Sequence, residues 1–259
     1  MKFFAAALVS LLGLANANVC TQGVKKFCSS RGGQATACMN YQCSAAIKTS
    51  TGDENFKEQM LRAHNRYRTE GFQGQSAADM LAVSWSDELA QTALLWVSHL
   101  CDQNSMLDGG HDKCRVSPSF DSVGQNLAWG AGSAWGGPID ADKMAVKGWN
   151  DEKKDATNGM MFPFSPPNGP VIGHYTQVVW SGSYKIGCAY VTRRADRYGY
   201  QGWIACNYAQ AGNMVGDNVF TRGSPGSKCP QGSSKSSNGL CTVQNEDALR
   251  RALGLRRLD

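Results

Sequence analysis

The sequence lacks several patterns that would assign it to a common class of protein. It has no Cys-x-x-Cys pair, which argues against a zinc ribbon or a thioredoxin-like redox site. It has no His-Glu-x-x-His motif, so a metalloprotease of that kind is not indicated, and no Asn-x-Ser/Thr site for N-glycosylation. The formal charge of +5 comes from scattered lysines and arginines. Without a basic stripe, nucleic acid is not expected as a partner.

Long apolar runs are also scarce, and the one candidate lies at the N-terminus. Lys2 precedes an apolar run at residues 3–15, followed by Ala15-Asn16-Ala17, a small-residue cleavage pattern. The run is too short to span a bilayer, and no later stretch approaches the length of a membrane-spanning helix. We therefore predict a signal peptide at residues 1–17, a secreted, extracellular product, and no transmembrane segment.

Cysteine, by contrast, is abundant, with ten residues after the predicted signal peptide. An even number of cysteines in an exported chain predicts five disulfides, although counting alone does not give their pairing. The cysteines are Cys20, Cys28, Cys38, Cys43, Cys101, Cys114, Cys188, Cys206, Cys229 and Cys241.

The composition divides the chain into four parts. After the signal peptide we expect a cysteine-rich extension at residues 18–52, a main domain at 53–217 and a C-terminal extension at 218–259. Cys229 and Cys241 flank a Gly/Ser-rich stretch, which predicts one small disulfide loop. The basic tail that follows places leucines among arginines. This pattern fits either a short amphipathic helix or a frayed end, and we favour the frayed end.

Apolar spacing gives the expected elements of the main domain. It predicts helices at residues 53–68, 86–100 and 140–154, the second capped by Ser86. Gly124 and residues 130–137 are interpreted as connections. Strands are expected late, at 184–191 and 203–208, and Cys188 and Cys206 lie almost symmetrically about the turn between them, as a cross-strand disulfide would. These elements predict a layered α/β domain with a mainly antiparallel sheet.

Four motifs in the main domain occur in a recognisable order. They begin with His64-Asn65-Arg66-Tyr67-Arg68 and Gly124-Gln125-Asn126-Leu127. The third runs from Gly173-His174-Tyr175-Thr176-Gln177 through Trp180, and the fourth is Cys206-Asn207-Tyr208 followed by Gly212-Asn213. Together they resemble the CAP superfamily of cysteine-rich secretory, antigen-five and pathogenesis-related proteins. The N-terminal cysteines, residues 110–115 and Gln125 are most similar to the arthropod antigen-five, venom-allergen-like group.

This resemblance implies a fold and a set of disulfides. The expected fold is a disulfide-rich, three-layer α-β-α sandwich, the CAP domain, around a mainly antiparallel sheet. The implied disulfides, with one additional pair in the C-terminal extension, are Cys20–Cys38, Cys28–Cys114, Cys43–Cys101, Cys188–Cys206 and Cys229–Cys241.

The resemblance also implies a central cleft with two histidines and two acidic positions. Carried over to this chain, the four positions are His64, Gln125, Glu152 and His174, and Gln125 departs from the acidic version. His64, Glu152 and His174 together could bind a divalent metal such as zinc, weakly because Gln125 is uncharged. No cofactor is required by this interpretation. Alternatively, the histidines hydrogen-bond to Glu152 and Gln125 and only order the cleft. His99 and His111 are interpreted as structural.

Three functional hypotheses follow. The favoured one is a non-enzymatic binding or effector protein of venom, saliva or haemolymph type, which acts by surface contacts or ligand sequestration. The second is a sterol or fatty-acid carrier, with the aromatic residues Trp149, Trp180, Tyr175 and Tyr208 walling an apolar groove. The third is a His/Glu-dependent hydrolase, which the sequence supports poorly because no serine lies in a nucleophile motif. The partner is expected to be an extracellular protein or a lipid.

Overall fold

The computed structural model describes residues 19–51, 53–105 and 110–256. The signal peptide predicted at residues 1–17 lies outside the described residues. Within the described ranges, no helix is both long enough and apolar enough to cross a membrane.

A five-stranded sheet forms the centre of the molecule. Its strands are β1 (Ala46–Ser50), β2 (Ser84–Trp85), β3 (Gly124–Ala131), β4 (Lys185–Ala195) and β5 (Gly199–Ala209). The order β1-β4-β5-β3 is antiparallel throughout, and the short β2 pairs with β4 in parallel. A separate two-stranded sheet in the C-terminal extension joins β6 (Ser233–Lys235) and β7 (Cys241–Val243).

The helices lie on both faces of the sheet. They are α1 (Gln22–Ser29), α2 (Glu54–Thr69), α3 (Asp87–Asp102), α4 (Lys147–Asp151), α5 (Asn158–Met161), α6 (Gly173–Val178) and α7 (Glu246–Ala252). The caps of α2 and α3 are side chains that accept hydrogen bonds from backbone N–H groups, Asp53 from Asn55 and Phe56, and Ser86 from Leu89. The third predicted helix is a run of changing pitch, a π turn at Asp142–Val146, then α4, then a 3₁₀ turn at Glu152–Asp155.

Alternation along β4 and β5 creates two cores, one on each face of the sheet. Ile186 and Tyr190 face a cluster that includes α2, α4 and α6, whereas Ala189 and Val191 face a second cluster under α3. This follows from the two-residue period of a strand, which points successive side chains to opposite faces. The predicted three-layer α-β-α sandwich with a mainly antiparallel sheet is confirmed.

Two details of the predicted strands were wrong. Strands do not appear only after residue 183, because β1 and β3 precede it, and Gly124 begins β3 instead of lying in a connection. The glycines of this region serve close packing: a Cβ at Gly202 on β5 would overlap the Trp135 ring, and a Cβ at Gly130 on β3 would lie 2.6 Å from Trp135 Nε1. Because these glycines have no side chain, the Trp135 ring can pack directly on the sheet.

The two extensions pack onto the main domain. Residues 46–50 of the N-terminal extension supply β1, and five disulfides link the same pairs that the family resemblance implies. The C-terminal tail is not frayed over its described part, contrary to our expectation. In α7, Leu249 is fully buried, and the buried Arg250 donates to Tyr184 Oη and to the carbonyl of Ser119. These contacts give the arginine-rich tail a place in the fold.

Candidate functional site

His174 is held by the carboxylate of Glu152 at the start of α6. Nδ1 of His174 lies 2.6 Å from Glu152 Oε1, while Oε2 accepts from the backbone N–H groups of His174 and Tyr175 at 2.9 and 3.1 Å. Accepting these backbone bonds suits an ionised carboxylate. The His174 Nδ1 therefore donates this hydrogen bond, which leaves Nε2 as the ring nitrogen available to a ligand.

A second histidine, His111, is held in the same way by an amide. His111 Nδ1 lies 3.0 Å from Gln125 Oε1, and that oxygen also accepts from the backbone N–H of Asp112 at 3.1 Å. Because a backbone N–H is always a donor, the shared Gln125 atom must be the oxygen, and His111 must donate from Nδ1. The Gln125 amide nitrogen donates to Asn207 Oδ1 at 3.0 Å, which agrees with this orientation. In the neutral ring, Nε2 of His111 therefore carries the lone pair.

The two histidines share one electrostatic environment. The pKa of His111 is lowered, chiefly because the surrounding protein displaces water, and further by the positive charges of Arg115 and His174, while the hydrogen bond to Gln125 opposes the shift. The His111 ring thus favours the neutral form, which is the form that binds metals. His174 also stacks on Trp149, with ring centroids 6.3 Å apart.

The N-terminal extension fixes the segment that carries His111. The buried Asp112 accepts from Thr36 Oγ1 at 2.7 Å and from the backbone N–H of Cys114 at 2.9 Å. Cys114 in turn is bonded to Cys28 of α1. The cysteine-rich extension therefore anchors the segment that carries His111, both covalently and by a hydrogen bond.

His64, predicted as a cleft residue, lies in the core. It is fully buried, with Nδ1 2.8 Å from the carbonyl of Met60 and Nε2 2.8 Å from Tyr208 Oη. Sheet alternation explains the separation: Tyr208 and its neighbour Asn207 point to opposite faces, and Gln125 bonds to Asn207. The expected hydrogen bond of His174 to Glu152 is present, whereas His64 bonds to neither Glu152 nor Gln125.

The structure thus brings together Gln125, Glu152 and His174 with His111, a residue that the sequence argument set aside as structural. No local motif marks His111; the sequence shows only that it lies close to Cys114, which the resemblance pairs with Cys28. Within the described ranges, no group of three or more His, Cys, Asp or Glu residues is arranged to hold a metal ion. The ligand set expected from the resemblance, His64, Glu152 and His174, therefore does not form a metal site in this structure.

A separate groove of about 480 Å³ lies beside β3. We call it the tryptophan groove, lined mainly by Trp129, Trp135, Ala134, Pro138 and Met144. Lys143 and Asp140 also line it. Its size and apolar walls are those of a small-molecule pocket.

Comparison with known proteins agrees with this architecture. The model of the family "CAP: Cysteine-rich secretory protein family" matches residues 61–208. Venom allergen-1 of Aedes aegypti is 32% identical over 95% of this chain and 94% of its own length. GLIPR1-like protein 1 of Bos taurus is 36% identical over 78% of this chain and 77% of its own.

Solved structures show the same fold. The crystal structure of NaASP2 with Zn²⁺ superposes with a TM-score of 0.54 and 23% identity, covering 74% of this chain and 97% of that one. The family model, which spans more than half of the sequence, and relatives above 30% identity over most of its length lead to one conclusion. The chain belongs to the CAP family of cysteine-rich secretory proteins.

Proposed function

We propose that this chain is a secreted, non-enzymatic binding protein of the venom-allergen type, whose histidine pair binds a divalent cation such as zinc. The observation that carries the proposal is the matched state of His111 and His174. Each uses Nδ1 to donate to an oxygen and leaves Nε2 as the ring nitrogen available to a ligand. Export is supported by the signal-like residues 1–17, the five disulfides and the family description.

The residues present fit a metal in part. Histidine ligands in metal sites commonly donate their second ring nitrogen to a carboxylate or carbonyl oxygen, as His174 does to Glu152 and His111 to Gln125. His111 and His174 would hold the ion, and Glu152 and Gln125 would orient them. A bound divalent cation would supply a positive charge and open coordination positions. Since Gln125 is neutral, the site has one negative charge fewer than an acidic version, which favours weak binding.

The hydrolase hypothesis is weaker by comparison. Glu152 is already bonded to one imidazole and two backbone N–H groups, so it is not free to activate water directly. Ser183, close to His174 in sequence, is fully buried, accepts from Gln177 Nε2 and donates to the carbonyl of Gln210. A nucleophile needs a hydrogen bond to its base, and this serine lacks one.

Zinc titration of the chelator-treated protein by calorimetry tests the proposal. We expect His111→Ala and His174→Ala each to weaken zinc binding at least about tenfold, because each removes one of the two imidazole ligands. His99→Ala is the matched control, since His99 packs on Tyr41 and Trp96 instead of bonding to Gln125 or Glu152, and this variant should bind zinc like wild type. Wild-type protein that binds no zinc, or equal affinity in all three variants, would contradict the proposal.

A lipid carrier is the second candidate, supported by the tryptophan groove. We expect Ala134→Trp to fill this groove and to weaken binding of a fluorescent sterol or fatty acid at least about tenfold, because the ligand then loses the apolar walls. Ala134 is exposed and its replacement leaves the buried Trp135 in place. Ala252→Trp, at the exposed end of α7, is the control. Equal binding by both variants would exclude the groove as the lipid site.

A further inference from the structure

A second concave site lies between the N-terminal extension and α3. We call it the extension pocket: about 360 Å³ in volume, it is walled by residues 40–43 and Thr49 on one side and by α3 on the other. The α3 wall is one helical stripe, Gln91, Leu94, Leu95 and Ser98, with the spacing of a single face. The pocket shares no residue with the histidine site or the tryptophan groove.

The walls of this pocket are held rigidly. Cys43 is bonded to Cys101 of α3, which ties the loop to the helix. Tyr41, the adjacent wall residue, packs on the rings of His99 and Trp96, with centroids 4.3 and 6.4 Å away. A site whose walls are fixed before binding loses little conformational entropy when a ligand enters.

The chemistry of the lining is polar but uncharged. The described lining residues offer the amides of Asn40, Gln42 and Gln91 and the hydroxyls of Thr49 and Ser98, and none carries an acidic or basic group. Ser98 is only 6% exposed, but its hydroxyl is not among the fully buried polar atoms that lack a partner, so it remains accessible to solvent. A ligand hydroxyl can replace water as the hydrogen-bond partner of Ser98 at this position.

These features select one class of ligand. A charged ligand would lose hydration without gaining an ion partner, and a purely apolar one would leave the amides and Ser98 without hydrogen bonds. A neutral sugar has hydroxyls for the amides and an apolar C–H face for Leu94 and Leu95. We propose that the extension pocket binds an uncharged hexose unit, free or at the end of a glycan. This site is independent of the proposed metal binding.

Ligand-observed NMR on the full secreted protein tests the proposal. The probes are glucose, galactose, mannose and N-acetylglucosamine at millimolar concentration, with glucuronate and a capped neutral dipeptide as comparators. We expect at least one neutral sugar to bind, and to bind better than both comparators. Ser98→Ala should weaken that sugar about fivefold, the value of one neutral hydrogen bond. Alanine is well tolerated in a helix, so the variant should fold.

Two controls make the result specific. Ser133→Ala removes an exposed hydroxyl of a 3₁₀ turn that does not line the pocket, and it should leave sugar binding unchanged. Gln91→Leu removes one amide of the pocket and should act like Ser98→Ala. The proposal is overturned if no neutral sugar binds, if glucuronate or the dipeptide binds better, or if Ser98→Ala and Ser133→Ala behave alike. Because zinc plays no part in this assay, failure of the metal proposal would not affect it.

Discussion

Replacing Arg68 with methionine is expected to lower the free energy of unfolding by about 4 kcal/mol. Arg68 is 1% exposed, and its guanidinium donates to four backbone carbonyls. Nε and Nη2 reach Leu81 O at 2.8 and 2.6 Å, Nη1 reaches Val178 O at 2.8 Å, and Nη2 also reaches Ser183 O at 2.8 Å and Ser181 O at 3.3 Å. One side chain thus joins α2 to the segments before β2 and before β4.

The size of this effect follows from the nature of the partners. Backbone carbonyls remain in place when the arginine is removed, and a buried carbonyl without a donor costs about 1–3 kcal/mol. Burial lowers the pKa of Arg68 to about 9, so the group is still a cation at neutral pH. Arg68→Lys keeps the charge but has three donors in place of a planar fork, and it should recover only part of the loss.

Urea unfolding of the variants checks this expectation. Arg66→Met is the matched control, because Arg66 lies on the same helix and its ion pair with Asp142 is at the surface, with the arginine side chain 53% exposed. Removing it should cost about 1 kcal/mol or less. If Arg68→Met does not fold, Arg68→Lys can still be compared with Arg66→Met and wild type. A stability loss in Arg68→Met or Arg68→Lys no larger than in Arg66→Met would show that the carbonyl contacts contribute little.

The sequence predicted the helix that contains the motif of residues 64–68, but it did not predict the role of His64. Helical spacing correctly predicted this helix, and Met60, Ala63 and Tyr67 lie on its buried face. The same spacing puts His64 on that face, but the family motif drew attention to its chemistry instead. Asn65 is likewise structural, exchanging two hydrogen bonds with the backbone of Val83. The side chains of this motif fix α2 to the rest of the domain, and His64 contributes to that packing.

His111 could not be placed from local pattern, because nothing around it repeats. Its role depends on Gln125, which reaches it only after β3 pairs with β5, and on Asp112, which is held by Thr36 from the extension. These are contacts between residues far apart in sequence. His174 was easier, since it lies in the third motif, and Glu152 was carried over from the family cleft within the helix predicted at residues 140–154.

The tail and β3 were misjudged for different reasons. Asn245 caps α7 by accepting from the N–H of Ala248, and Glu246 and Asp247 follow it, so a helix start was present in the sequence. The burial of Arg250 against Tyr184 was not readable from that pattern. β3 was missed because its glycines were interpreted as loop residues, whereas Gly130 is required by the ring of Trp135.

Acidification is expected to destabilise the fold by about 3 kcal/mol between pH 6.5 and pH 4 through His64 alone. The Met60 carbonyl can only accept, so His64 Nδ1 carries the proton and Nε2 accepts from the Tyr208 hydroxyl. Burial, partly offset by the hydrogen bond to Met60, lowers the pKa of His64 from 6.5 to about 4. Below pH 6.5 His64 is protonated in the unfolded chain, whereas in the native protein it stays neutral until the pH approaches 4. This contribution to stability is therefore complete above pH 6.5 and is lost as the pH falls toward 4.

Urea unfolding from pH 7 to pH 5, in buffer with a chelator, measures the slope. His111 has a lowered pKa for a similar reason and adds to the wild-type slope in the same direction. His64→Gln cannot titrate, so its stability should fall less steeply with pH, by about 1 kcal/mol per pH unit on average between pH 7 and pH 5. The comparison uses slopes, because the variant is also less stable at pH 7. If it does not fold, NMR of the wild-type imidazoles replaces it: a His64 ring that titrates with a pKa near 6.5 in the native protein would contradict the prediction, since the buried bonds to Met60 and Tyr208 leave no place for a second proton.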